Sequence, residues 1–237
     1  MKDKLTIVIP SKNEGQRLYE CLDSITYQHR IDGVTVIIAD ISDDQYSIDI
    51  IEDCKFVFAD MLDIKVIKGG YPSEGRLAGS KLVKTPYILF LDADMMLLKP
   101  NILLNSLNHM KYNNLDLVTV PFRTDKKWDW VFRLFDIGQE LSIKLKSPFA
   151  VGGFQLWNLQ KYWEAGGYNP LERFAEDYSL SSKVNIIKFG VYKSDGVYTS
   201  PRRFENKGFI YMFVLMIRSY INKNNPKFFI NHHNYWN

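Results

Sequence analysis

The sequence predicts an α/β fold in which a mostly parallel central sheet is flanked by helices. Three continuous apolar runs, rich in β-branched residues, are typical of strands that are buried on both faces. These runs are LTIVIP (5–10), VTVIIAD (34–40) and YILFLD (87–92). Segments with helical spacing separate them, and this alternation predicts parallel strands that are joined by crossover helices.

Local signals predict the remaining elements of the first half. Residues 14–28 have apolar side chains three or four positions apart, which predicts a helix. The apolar positions are Leu18, Cys21, Leu22 and Ile25. A short helix is expected within 47–53, and the alternating segment 63–69 is typical of a strand. Ser73 is expected to cap a helix that runs to about Val83.

The second half has weaker signals. We expect a helix near 101–111, a strand over 115–122 and a helix over 177–189, where apolar residues return at helical spacing. Residues 123–150 are rich in charged and aromatic residues and predict a further helix. The chain has no repeat and no linker, so one domain over residues 1–237 is expected.

Composition narrows the class of protein. The chain has 237 residues, of which 46% are hydrophobic and 24% charged, and these values exclude a disordered, collagen-like or coiled-coil protein. The net charge of +3 is too small to indicate a nucleic-acid partner. Two cysteines make neither a disulfide framework nor a zinc cluster. No secretory signal is visible, and the apolar run 209–217 is shorter than the roughly 20 residues of a membrane span. A cytoplasmic location is therefore expected.

Two acids follow the most apolar of the predicted strands. In an extended chain, Asp92 and Asp94 point the same way, because side chains alternate with period two. Open α/β sheets bind ligands beyond the carboxyl ends of their strands, and two carboxylates there can hold a divalent cation that also binds phosphate. The alternative is an ordinary polar turn, in which Asp is common.

Other polar residues could join these acids. Asp40 ends the second strand, where an acid can accept hydrogen bonds from a ribose or a base edge, and Glu14 follows the first strand. Arg76 lies on the helix near Ser73, where a basic side chain could meet a diphosphate or simply be solvated. For each of them, an ordinary surface role is the alternative.

Two later motifs also have two interpretations. Glu176 and Asp177 open a predicted helix, where acids either complement the helix dipole or supply a general base. Arg202 and Arg203 form a basic turn that suits phosphate oxygens or a charged surface loop.

Taken together, the motifs resemble those of the family 2 glycosyltransferases, which have the GT-A fold. The resemblance covers residues 5 to about 210. It rests on VIPSKNE (8–14), IIADISDD (37–44), EGRLAGSKLVKTPYILFLDADM (74–95), VGGFQLW (151–157), AEDYSLSSKV (175–184) and TSPRRFENKGF (199–209). It implies an inverting transfer of a sugar from a nucleotide-diphosphate sugar to an acceptor hydroxyl.

The resemblance also implies roles for individual residues. Asp177 matches the catalytic base, and Asp92 and Asp94 match the metal-binding DxD motif, with Asp94 the direct ligand. The residues expected to bind the nucleotide sugar are Pro10, Glu14, Asp40, Arg76, Asp92, Arg202 and Arg203. Those expected on the acceptor side are Gly152, Gly153 and Glu176. Residues 1–95 would bind the nucleotide sugar and 96–205 the acceptor, before a C-terminal helix and tail (206–237).

The cofactor and partners follow from the same resemblance. We expect Mn²⁺ or Mg²⁺, a UDP- or GDP-sugar donor, and a glycan or lipid-linked acceptor, as in polysaccharide or glycolipid biosynthesis. Asp40-Ile41-Ser42 departs from the family's usual two acids and glycine, which leaves the nucleotide base open. A QxxRW element is not visible, which favours single addition over polymerisation.

Three alternatives remain open. A sugar nucleotidyltransferase would usually have a glycine-rich basic loop after the first strand, and this chain has SKNEGQR there. A non-catalytic nucleotide-sugar-binding module would be expected to lack the paired acids, which are present. Residues 208–221 could form an apolar helix that contacts a membrane surface or closes the core.

Overall fold

A mixed seven-stranded sheet forms the centre of the protein in a computed structural model that describes residues 1–194 and 196–233. The strands are β1 (Leu5–Ser11), β2 (Val34–Asp40), β3 (Leu62–Lys68), β4 (Tyr87–Leu91), β5 (Met95–Leu97), β6 (Leu117–Thr119), β7 (Phe154–Asn158), β8 (Phe189–Val191) and β9 (Val197–Thr199). The sheet order is β3-β2-β1-β4-β7-β6-β8, and β5 pairs separately with β9. The predicted α/β fold is confirmed.

The helices lie between these strands. They are α1 (Gln16–Thr26), α2 (Gln45–Val57), α3 (Pro72–Ser80), α4 (Ile102–Tyr112), α5 (Asp129–Lys144), α6 (Leu159–Glu164), α7 (Glu176–Ser181), α8 (Arg202–Lys207), α9 (Phe209–Ile221) and α10 (Pro226–Ile230). A short 3₁₀ helix spans Ile186–Lys188.

The first four strands of the sheet are parallel, as predicted. β1 pairs in parallel with β2 and β4, and β2 pairs in parallel with β3. β7 is the exception, because it runs antiparallel to both of its neighbours, β4 and β6. Strands from both halves of the chain therefore share one sheet. The assignment of residues 1–95 to the nucleotide sugar and of 96–205 to the acceptor stays a prediction.

Successive side chains of β1 point to opposite faces of the sheet. Leu5, Ile7 and Ile9 pack into the larger apolar cluster, with α1, α2 and α4. Val8 points the other way, into a second cluster that includes Phe90. All five side chains are buried, as expected of a central strand that is covered on both faces.

Several predicted boundaries are wrong. α2 is longer than 47–53 because Asp44 caps it, accepting a hydrogen bond from the backbone N–H of Ser47 (2.8 Å). The helix predicted over 177–189 ends at Ser181, because the chain then turns to form β8, which pairs with β6. The predicted strand 115–122 is regular only over Leu117–Thr119.

Ser73 does not cap α3. Pro72 occupies the first turn, and Tyr71 stands before it as the cap residue. Ser73 is fully buried, and its hydroxyl donates to the carbonyl of Glu172 (2.7 Å). The side chain therefore joins α3 to the segment that precedes α7.

The segment 208–221 forms helix α9 and leaves most of its apolar side chains outside the core. Leu215 and Ser219 are its buried residues. No helix among residues 1–194 and 196–233 is both long enough and apolar enough to span a bilayer.

Candidate active site

The carboxyl ends of the parallel strands meet at one edge of the sheet. Ser11, the last residue of β1, lies opposite Asp40, the last residue of β2. Asp92 directly follows β4, the other neighbour of β1. The polar residues that end these strands therefore share one edge, as the sequence predicted. The hydroxyl oxygen of Ser11 is buried there and has no hydrogen-bond partner among the described residues.

The small sheet formed by β5 and β9 brings the C-terminal arginines to this edge. Met95, one residue after Asp94, pairs with Thr199. This pairing positions α8, in which Arg202 forms an ion pair with Glu14 and lies 3.7 Å from Asp94. Sequence reasoning missed both strands, because three residues are too few to show a period.

Arg76 lies at the centre of the site. Its side chain is 3% exposed and extends from α3 to two carboxylates, those of Asp92 and Glu176, each at 2.5 Å. Its guanidinium carbon also lies 5.3 Å from the centroid of the Tyr168 ring. The buried Nε has no hydrogen-bond partner among the described residues. The alternative of a solvated helix face is thus wrong, and one guanidinium joins the DxD turn to α7.

Asp177 is held by backbone groups on both carboxylate oxygens. Oδ2 accepts a hydrogen bond from the N–H of Gly152 (2.7 Å), and Oδ1 accepts one from the N–H of Tyr178 (2.7 Å). The helix that carries Asp177 begins abruptly, because Ala175 has a left-handed conformation with φ of 47°. These contacts fix the direction of the carboxylate.

Burial raises the pKa of Asp177 above its usual range, and the charge of neighbouring Glu176 raises this pKa further. Arg76 and the two backbone N–H groups lower it, but they do not compensate for burial. A helix N-terminus by itself favours an ionised acid, so burial outweighs the helix dipole at Asp177. A carboxylate with a raised pKa is a stronger base once it is ionised.

The DxD acids lie in a turn. Residues 92–94 leave the extended conformation after β4, and the N–H of Met95 donates to the carbonyl of Asp92 (3.1 Å). The period-two argument for a shared direction is therefore wrong, and the two acids contact different arginines. Asp92 pairs with Arg76, whereas Asp94 lies near Arg202.

Asp94 is the more buried acid of the DxD turn. Burial, and then the charge of Asp92, raise the pKa of Asp94 to about 6, although Arg203 and Arg202 lower it. No group of three or more His, Cys, Asp or Glu residues suited to a metal occurs among the described residues. The two carboxylates would fit a hard cation that takes its other ligands from a diphosphate and water.

Gly152 and Gly153 lie against the DxD turn and Asp177. The carbonyl of Gly153 accepts a hydrogen bond from the N–H of Asp92 (3.3 Å). A Cβ on Gly152 would lie 2.8 Å from Nη2 of Arg76 and 3.3 Å from Cβ of Asp177. A side chain at position 152 would therefore displace the central guanidinium.

The residues expected at the nucleotide end are held by local contacts. Asp40 accepts hydrogen bonds from the N–H and hydroxyl of Ser42 (2.9 and 2.8 Å). Pro10 is partly buried, and a Cβ on Gly75 would contact its ring. Besides its pair with Arg202, Glu14 accepts a hydrogen bond from Nε of Arg17 (3.0 Å).

Gln155 supports the site, and sequence reasoning missed it. The side chain is fully buried in β7, and its amide donates to the carbonyls of Ala150 (2.7 Å) and Asp177 (3.3 Å). Its oxygen accepts from Trp157 (3.0 Å) and Tyr168 (2.9 Å). A glutamine inside the apolar run FQLW was the available signal, because buried polar groups need partners.

Comparison with known proteins identifies the class to which this fold and site belong. The sequence model described as Glycosyl transferase family 2 matches residues 6–166, more than half of the chain. The chain therefore belongs to glycosyl transferase family 2. A comparison with curated proteins found no match.

Solved structures share the fold at low sequence identity. TarS from S. aureus, solved in complex with UDP-GlcNAc, is 17% identical with a TM-score of 0.62, and the match covers 83% of this chain and 58% of TarS 1-349. The mannosyltransferase PcManGT from Pyrobaculum calidifontis, in complex with GDP-Man and Mn²⁺, is 15% identical with a TM-score of 0.66, covering 92% and 65%. This chain spans less than two thirds of either structure's length, and the likeness shows the GT-A fold.

Proposed function

We propose that the protein is an inverting, metal-dependent glycosyltransferase in which Asp177 is the general base. One observation carries this proposal: the buried guanidinium of Arg76 joins Asp92 of the DxD turn to Glu176, the residue beside Asp177. One buried guanidinium therefore links the DxD turn to the residue beside the proposed base.

The donor is a nucleotide-diphosphate sugar, either a UDP- or a GDP-sugar. Complexes of TarS with UDP-GlcNAc and of PcManGT with GDP-Man support this class of donor. Within this chain, Ser11 and Asp40 would meet the nucleoside, while Arg202 and Arg203 would meet the diphosphate. The buried Nε of Arg76 and hydroxyl of Ser11, which have no partner among the described residues, suit a polar ligand at this edge.

Asp94 and Asp92 would hold Mn²⁺ or Mg²⁺, with Asp94 the direct ligand. The metal would supply Lewis-acid stabilisation of the charge on the leaving diphosphate. Two observations support a divalent ion. PcManGT was solved with Mn²⁺, and the negative charges of Asp92 and Glu14 lie close enough to Asp94 to raise its pKa beyond the effect of burial.

Asp177 would take the proton from the acceptor hydroxyl. The hydroxyl oxygen forms a bond to the anomeric carbon as the bond from that carbon to the diphosphate oxygen breaks, so the configuration inverts. The hydroxyl proton passes to the Asp177 carboxylate, and the nucleoside diphosphate leaves with the bonding electrons. Gly152, Gly153 and Glu176 would border the acceptor, which is a glycan or a lipid-linked sugar.

Asp177→Asn tests the base. Loss of a general base typically lowers the rate by about 10²–10⁴, so turnover should fall by that order while donor binding persists. Glu176→Gln is the matched control and should lose less turnover, because its amide can still accept a hydrogen bond from Arg76. Near wild-type turnover in Asp177→Asn, or a product that retains the donor's anomeric configuration, would refute the assignment.

Asp94→Ala tests the metal site. We expect transfer to be abolished while the circular dichroism spectrum and the thermal midpoint remain near those of the wild type. Excess EDTA should have the same effect, and added Mn²⁺ should reverse it. Full activity in EDTA would contradict metal dependence.

The alternatives differ in the products that a donor panel would reveal. A sugar nucleotidyltransferase would release pyrophosphate from a nucleoside triphosphate, and a binding module would consume no donor at all. Slow donor hydrolysis with release of the nucleoside diphosphate favours the glycosyltransferase over both.

Membrane contact through residues 208–221 also belongs to this proposal. Helix α9 has two buried residues, Leu215 and Ser219, which weakens the alternative of a core helix. Peripheral association at a bilayer would suit a lipid-linked acceptor.

A further inference from the structure

Helix α5 has an apolar stripe that faces away from the core. Its exposed apolar residues recur every three or four positions, so they lie on one side of the helix. They are Trp130, Leu134, Ile137, Leu141 and, at the C-terminal cap, Leu145. Val131, Phe132 and Gln139 are buried on the other side. An outward stripe of this length is unusual for a surface helix, whose apolar stripe normally faces the core.

Helix α9 presents a second stripe of the same kind. Its exposed apolar residues also recur at helical spacing and are Ile210, Phe213, Val214, Ile217, Tyr220 and Ile221. The two helices meet at their N-terminal ends, where the rings of Trp130 and Phe209 lie 5.0 Å apart. We call these two stripes together the α5–α9 surface.

Basic residues border the α5–α9 surface. Glu205 is the last acidic residue of the chain, so the segment from 206 onward has basic side chains and no carboxylate side chain. Those in and beside α9 are Lys207, Arg218, Lys223 and Lys227. Each acid of α5 is paired with a basic residue: Asp129 with Arg133, Asp136 with Arg123, and Glu140 with Lys193.

We propose that the α5–α9 surface as a whole docks on an anionic lipid bilayer, with α5 contributing as much as α9. Contiguous exposed apolar patches that are bordered by polar residues mark interaction sites, and an apolar face bordered by Lys and Arg is typical of an interfacial helix. A symmetric dimer through this surface is disfavoured, because it would bring the basic residues of two copies into one interface, where their like charges repel. The surface is close to the site along the chain, since α5 ends eight residues before Gly152 and α8, with Arg202, directly precedes α9.

Vesicle flotation tests the proposal. The full chain should float with vesicles of phosphatidylcholine and phosphatidylglycerol, and less with phosphatidylcholine alone. Arg218→Gln combined with Lys223→Gln should weaken binding to the anionic vesicles by roughly 25-fold, about fivefold for each charge. Added salt should weaken binding in the same direction.

Substitutions on α5 decide whether that helix takes part. Ile137→Glu with Leu141→Glu should abolish flotation, as should Ile217→Glu on α9. Phe56→Glu is the matched control, because Phe56 is 86% exposed on α2, outside this surface, and this variant should float like the wild type. Wild-type flotation of the α5 variant, or loss of flotation in the control, overturns the proposal.

Two further measurements separate the alternatives. Donor hydrolysis without vesicles should be unchanged in all these variants, which shows that they fold and separates this proposal from the proposed transfer chemistry. A dimer in size-exclusion chromatography that Ile137→Glu dissociates, without flotation of the wild type, would identify the surface as a self-interface and refute docking on lipid.

Discussion

Replacing Arg76 with Met would remove the charge that joins the DxD turn to α7. The Arg76 side chain is 3% exposed, and it pairs at 2.5 Å with Glu176, whose side chain is 8% exposed. Met preserves much of the volume of the aliphatic stem but leaves Glu176 buried without a cation. The variant therefore isolates the consequence of an uncompensated buried charge.

The expected loss follows from the burial of the two acids. Breaking a buried ion pair by removing one partner typically costs about 3–5 kcal/mol. The pair with Asp92 adds less, because this acid is 23% exposed and is screened by solvent. A loss of about 3–5 kcal/mol is a large part of a typical stability of roughly 5–15 kcal/mol.

Urea unfolding measures this loss. At an m-value of about 3 kcal/mol/M, the midpoint should fall by about 1–1.7 M. Arg133→Met is the matched control, because Arg133 is 62% exposed and pairs with Asp129 one helical turn away. This control should lose about 0.5 kcal/mol or less.

The double variant Arg76→Met with Glu176→Gln tests the cause. Removing both charges should recover part of the stability, because the buried carboxylate is then absent. A loss below about 1 kcal/mol in Arg76→Met, or a double variant that is no more stable than the single one, would refute the reasoning.

Further predictions concern glycines, pH and thiols. Gly79→Ala should destabilise the protein by about 1–3 kcal/mol, because its Cβ would lie 2.4 Å from the buried side chain of Val8 in β1. Gly138→Ala meets nothing within 4 Å and should stabilise α5 by up to about 1 kcal/mol. Thermal melts of the two variants measure both effects. Burial raises the pKa of Glu172, so its carboxyl favours folding at low pH and this contribution is lost as the pH rises through the raised pKa. Glu172→Gln should therefore raise the melting temperature at neutral pH and have little effect below pH ~4, near the ordinary Glu pKa. Burial raises the pKa of Cys21 and Cys54, so iodoacetamide should alkylate them only after unfolding, and rapid native labelling would contradict their burial.

The acidic limb of the pH–rate profile checks the environment of Asp177. Because burial raises the pKa of Asp177, the rate should begin to fall, as the pH is lowered, at a higher pH than for an ordinary Asp. The limb should be lost together with turnover in Asp177→Asn. A limb in the ordinary Asp range would contradict the buried environment.

The sheet was predictable where strands are buried on both faces. β1, β2 and β4 are long apolar runs, and their signal is independent of the rest of the chain. β7 was missed because the polar residue Gln155 interrupts its apolar pattern. Gln155 is tolerated in the core because Trp157 and Tyr168 donate hydrogen bonds to its side-chain oxygen. Such compensation depends on tertiary structure, which local patterns do not contain.

The sequence could propose candidate site residues, but it could not predict the contacts that join Arg76 to Asp92 and Glu176. The burial of Arg76 depends on Asp92, 16 residues away, and on Glu176, 100 residues away. Residue type alone indicates a solvated arginine, because Arg is rarely buried unless it is paired. The raised pKa of Asp177 likewise depends on burial, which is a property of the folded chain.

The long separations between paired residues have a consequence for folding. The pair of Arg76 and Glu176 closes a loop of 100 residues, and the pair of Arg202 and Glu14 spans 188 residues. Long loops lose more entropy on closure, and chains with many distant contacts fold slowly. The site can therefore form only after nearly the whole chain has been ordered. Because a ligand that binds only the folded chain stabilises it, a nucleotide sugar would stabilise the N- and C-terminal parts together. Donor binding during refolding would then report the completion of folding, as a single late step.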